Sequence, residues 1–61
     1  MNAYINKKNG KRYIVTAEGI DCTNTRDGTP VIIYYPEDNP KLICVRERAE
    51  FMMKFDPESA Q

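Results

Sequence analysis

Sixty-one residues with nine acidic side chains, nine basic ones and no histidine make one small domain at most, with no net field to draw it to nucleic acid or membrane. A chain this short buries only about 60% of the surface its unfolded form exposes, so a disulfide, a metal or a second subunit is the usual supplement. Metal is a poor candidate, because His is absent and Cys22 and Cys44 stand far apart with no C-x-x-C pair, and no cofactor is implied.

The opening stretch "MNAYINKKNG" lacks the apolar core of a signal peptide, and no run approaches the roughly 18 apolar residues of a membrane span. The expectation is a soluble, cytoplasmic protein. Asn9-Gly10 falls between "AYI" and "YIVTA" and reads as a hairpin turn in which both residues accept positive φ. Asp27-Gly28, before "VIIYY", is a second turn of the same kind. The two prolines of "PEDNPK", before "LICV", make a third. Between the turns lie residues 13–19, 29–35 and 41–46. They are rich in β-branched and aromatic residues, and too short for ordinary helices.

Alternation assigns faces to these strands. Tyr13, Val15 and Ala17 share one face of the first. Val31, Ile33 and Tyr35 oppose Ile32 and Tyr34 in the second, and Leu42 and Cys44 oppose Ile43 and Val45 in the third. The second and third strands are apolar on both faces, which places them mid-sheet or under another element. In so short a chain a strongly bent, partly closed barrel achieves this. Cys22 and Cys44 then fall on neighbouring strands, as a disulfide or as two small apolar residues kept reduced in a cytosol.

The segment "VRERAEFMMKF" has two readings. As a helix it places Phe51 and Phe55 at i and i+4; as a turn and strand it alternates Phe51, Met53 and Phe55 with Met52 and Lys54. Both send the two rings inward. The preferred reading is one helical or 3₁₀ turn at 46–50 and a closing strand at 51–55. The domain then covers 1–55, and 56–61 is a frayed polar tail.

Three stretches carry a resemblance: "YINKKNGKRYIV", with Tyr4, Gly10, Tyr13 and Val15, then "TNTRDGTPVIIY", then "VRERAEFMMKF". Together they resemble a family of small uncharacterised bacterial and phage domains. Its members run Tyr, Gly, Tyr-x-Val, then Val-x-Tyr, and close on Val-Arg-x-x-x-x-Phe. The resemblance spans roughly residues 4–55. It implies an SH3-like β-barrel of five strands and a bacterial or phage source, and brings no catalytic residue with it. The connections "CTNTRDGTP" and "PEDNPK" depart from the pattern.

No catalytic constellation stands out. The commonest general base is missing, and the neighbouring acids Glu18 and Asp21, or Glu37 and Asp38, read as solvated loop residues. Cys22 has no cationic neighbour to make it a thiolate, and the three glycines are scattered turn residues rather than a phosphate loop. Two binding surfaces remain. Lys7, Lys8, Lys11 and Arg12 could track phosphates on nucleic acid, beside Tyr4 or Tyr13, or simply keep a hairpin edge soluble. Tyr34 and Tyr35 point to opposite faces, so one ring is core and the other lies outside. An exposed ring beside Ile32 makes a contact patch, unless the C-terminal segment or a second copy of the chain covers it. Arg46 and Arg48, beside Glu47 and Glu50, read as surface pairs. The expectation is a non-enzymatic protein-binding or regulatory module using Ile32, Tyr34 and Tyr35, with nucleic-acid binding through residues 7–12 as the alternative. A homodimer is compatible with either.

Overall fold

The computed structural model describes residues 2–23, 25 and 27–58. The chain runs β1 (Asn2–Asn6), β2 (Arg12–Asp21), β3 (Thr29–Pro36), β4 (Cys44–Glu47), α1 (Arg48–Lys54) and β5 (Phe55–Pro57). All strand pairs are antiparallel, and the sheet order is β4-β3-β2-β1-β5. The first four strands form a meander. The helix then carries the chain across the sheet, so that β5 pairs with β1. The mostly β chain with five strands and one short helix near its C-terminus is as expected. Closure is absent: β4 and β5 are both edges, and neither pairs with the other.

The turns explain the strand ends. Between β1 and β2, the Gly10 N–H donates to the Asn6 carbonyl at 2.8 Å, and the Asn6 N–H donates to Lys11 O at 2.9 Å. The Asn6 side-chain oxygen also accepts the N–H groups of Lys8 and Asn9. Among the described residues only Gly10 and Gly28 take positive φ, at 72° and 92°. Asn9 and Asp27 do not, so the two-residue turns expected at both sites are longer loops with glycine at the left-handed position. Residues 24 and 26 of the second loop lie outside the described residues.

Strand β2 changes face partway along. Its register against β3 slips between Val15 and Ala17, leaving Thr16 as the extra residue of a bulge. Paired residues share a face. Val15 pairs with Tyr34, Ala17 with Ile33 and Glu18 with Ile32. Ala17 therefore leaves the face of Tyr13 and Val15, contrary to simple alternation.

The chain before β4 also differs from expectation. Hydrogen bonds from Asn39 N–H to Pro36 O and from Leu42 N–H to Asn39 O extend the turn through Leu42. The strand starts at Cys44 rather than at 41. Leu42, Ile43 and Val45 are exposed, so β4 is an uncovered edge and not an element buried on both faces. Cys22 and Cys44 are free thiols, one exposed and one half-buried. They follow β2 and begin β4, which lie on either side of β3 and are not neighbours.

The helical turn expected at 46–50 is a helix over Arg48–Lys54, which takes in residues 51–54 of the expected closing strand, and the strand comes after it, at Phe55–Pro57. The Phe55 N–H still bonds back to Phe51 O, so the two rings keep their four-residue spacing across the helix end. They stack face to face, 4.3 Å between centroids and 6° between planes. Around the stack stand Tyr4, 5.0 Å from Phe51, Tyr13, 5.3 Å from Phe55, and Tyr34, within 5.5 Å of both, all edge-on. Ile32 completes the buried cluster. The tail expected to fray is held through Glu58: Asp56 and Pro57 pair with β1, and Glu58 bonds Arg12. Residues 59–61 lie outside the described residues. Among the described residues no helix is long and apolar enough to cross a membrane.

Candidate functional site

The helix covers one face of the sheet only; on the other, Val31 is buried and Ile14, Ile33 and Tyr35 are half-buried. Ile32 and Tyr34 point under the helix and are 1% and 4% exposed. They cannot form the contact patch expected of them, because the Phe51–Phe55 stack sits on both. Tyr35 lies on the opposite face, half-buried and next to Ile14 across the pairing with β2. Beside it in the sheet run Ile33 and Val45, which pair directly. This helix-free face is aliphatic, with Tyr35 as its one described aromatic ring. Val45, 62% exposed, and Ile43, 57% exposed, continue it to the β4 edge.

The two edges of the sheet are built differently. Along β5, Pro57 has no N–H to offer, and Asp56 puts a charge on a strand of three residues. Lys7 approaches Asp56 to 3.7 Å. Charge, proline and short length are common protections against pairing with another chain. Strand β4 is also short, four residues with the charged Arg46 and Glu47, but it has no proline, and exposed Val45 stands within it.

The helix-covered side carries a different feature. An open cleft of about 440 Å³ is lined by Asn6, Lys7, Lys8, Arg46, Met53 and Lys54. It joins the β1–β2 loop, β4 and the last turn of α1. The Lys7 N–H donates to the Lys54 carbonyl at 2.9 Å, which fixes loop against helix. Arg46 is held from three sides. Its Nε donates to the Tyr34 hydroxyl at 3.1 Å, its guanidinium lies 5.8 Å from the centre of the Phe55 ring, and Glu50 stands 3.6 Å from Nη1. The bond to Tyr34 raises the Arg46 pKa above its usual value, against the opposing effect of burial, with nearby Tyr34 and Glu50 adding to the rise. Lys54 shares Glu50, at 3.9 Å.

The four basic residues expected to act together are divided. Lys7 and Lys8 line the cleft, while Lys11 is exposed outside its lining. Arg12 is committed elsewhere, bonding Glu37 and, at 2.9 Å, Glu58. That hydrogen bond raises the Arg12 pKa and lowers that of Glu58. Arg46, Met53 and Lys54 join the cleft without having been singled out for it. No sequence signal marks them, because the β1–β5 pairing brings Lys54 beside Lys7 and Arg46 comes from β4. No family model matches the chain, and neither does any curated protein or solved structure.

Proposed function

We propose that this chain is a small non-enzymatic protein-binding or regulatory module of bacterial or phage type, built as an SH3-like barrel left open between its two edges. Two things support the architecture. One is the order of elements, a four-stranded meander, a short helix and a fifth strand returned to the first. The other is the resemblance carried by Tyr4, Gly10, Tyr13, Val15 and the Val45–Arg46…Phe51 segment. Fold alone does not assign function.

The observation that carries the reading is the β4 edge, which has no proline and carries the exposed Val45. An extended segment of a partner protein adds to it as a sixth strand, through main-chain hydrogen bonds, and rests side chains on Val45, Ile33 and Tyr35. The contact moves from the patch first read at Ile32 and Tyr34 to the face behind it, where Tyr35 alone of the three remains.

The test is capture of partners from nuclease-treated bacterial lysate by the wild-type protein, by Val45→Lys and by Lys41→Gln. Amide hydrogen exchange is then measured on the recovered complex. The expected result is a protein retained by wild type and Lys41→Gln, lost by Val45→Lys, with slowed exchange across 44–47. Retention by Val45→Lys would sink the proposal. So would a free protein that already elutes as a dimer through this edge, since its occupant would then be a second copy.

A further inference from the structure

We infer that the cleft on the helix side of the sheet is a separate anion site that grips the phosphate backbone of a nucleic acid strand. Four of its six lining residues are cations, Lys7, Lys8, Arg46 and Lys54, and none is acidic. The chain as a whole is neutral, and four of its nine cations are gathered here by folding. Two acids stand near the cations: Glu50 serves both Arg46 and Lys54, and Asp56 serves Lys7. Lys8 has no ion-pair partner among the described residues. The cations outnumber the acids that neutralise them.

Arg46 distinguishes this cleft from a scatter of surface lysines. Its guanidinium is already ordered by the Tyr34 hydroxyl and the Phe55 ring, both of them parts of the core. A pre-placed guanidinium loses little freedom on meeting a phosphate, and its planar fork suits phosphate oxygens. Lys7 and Lys54 are tied to each other through the backbone, so three elements present the charges together.

The lining also indicates which anion. A protein segment is held by apolar or aromatic anchors in desolvated pockets. The cleft has one apolar residue, Met53, 71% exposed, and no aromatic ring in its lining. A polyanion with evenly repeated charge needs only the cations, with Met53 as a soft surface for a sugar or base. Without stacking rings or base-reading groups, recognition is by backbone and independent of sequence.

The experiment is fluorescence anisotropy with a labelled oligothymidine, a labelled DNA duplex and labelled polyglutamate. Four phosphate contacts predict a log–log salt slope of about −3, or roughly a fifty-fold loss of affinity between about 50 and about 200 mM salt. Lys7→Gln/Lys8→Gln is expected to flatten the slope by about 1.4, and Lys41→Gln, outside the cleft, to leave it unchanged. Arg46→Lys keeps the charge but loses the fork, and is expected to bind more weakly at every salt concentration. Circular dichroism confirms that each variant is folded. Three results would overturn the inference: no binding to either nucleic acid at low salt, a slope indifferent to the double substitution, or tighter binding of polyglutamate than of both nucleic acids. The β4 edge is tested by Val45→Lys, on the other face of the sheet, so either site can fail without the other.

Discussion

The two faces of one sheet contrast sharply. Under the helix, five of the chain's six aromatic side chains meet in a single cluster, and Phe51 is fully buried. On the face without the helix the side chains are aliphatic, Ile14, Val31, Ile33 and Val45, with Tyr35 among them; Val31 is buried, but Val45 stands mostly in water. A short chain cannot cover both faces of its sheet with one seven-residue helix. Stability is therefore concentrated on one side, and the other is left available for contact. Aromatic rings supply most area per residue, so the covered side is where they are most useful.

The sharpest way to break this contrast is to truncate one residue on each face. Phe51→Ala is expected to cost about 3–5 kcal/mol, enough to leave so small a domain largely unfolded. Ile33→Ala is expected to cost about 1 kcal/mol, since part of that side chain is already hydrated. Urea denaturation followed by circular dichroism measures both. Equal losses would mean that the helix-free face is covered in solution.

A smaller effect sharpens the link between core and cleft. Tyr34→Phe keeps the ring edge-on against Phe51 and Phe55 but removes the acceptor of the Arg46 bond. A loss of about 1 kcal/mol is expected, read in the same denaturation experiment. An unchanged midpoint would show that Arg46 needs no anchor.

The smallest effect is at the sheet end where Glu58 meets Arg12. Their hydrogen bond lowers the Glu58 pKa in the folded state. A depressed carboxylate contributes stability that is complete above its ordinary pKa and disappears as pH falls through the lowered value. Thermal unfolding of Glu58→Gln should therefore fall slightly below wild type at neutral pH, and the two should converge in acid. A constant difference down to low pH would assign the effect to something other than the charge.

What was legible in the residues was local. Gly10 and Gly28 mark real turns, and the β-branched and aromatic runs mark β2 and β3. Phe51 and Phe55 read as core in either conformation of their segment, because the spacing of four and the even alternation both turn them inward. The bulge at Thr16 was not legible, since neither glycine nor proline announces it, and it reassigned the face of Ala17. The openness of the sheet was not legible either. Apolar residues on both faces of β3 and β4 suggest full enclosure, but β4 is an edge with its aliphatic side chains in water. The site was least legible of all. Lys54 reaches Lys7 through the pairing of β5 with β1, and Arg46 reaches the same cleft from β4, contacts between distant parts of the chain that periodicity does not encode.

That same pairing bears on how the protein is made. Strands β1 to β4 leave the ribosome first, as a run of hairpins whose aromatic face has nothing to close over it. The two stacked phenylalanines, the helix that carries them and the strand that caps β1 all belong to residues 48–57. Until residues 48–57 dock, the sheet is exposed on both faces and both edges. Exposed apolar surface and unpaired edges are prone to aggregate, so the docking of residues 48–57 removes that hazard as it completes the core.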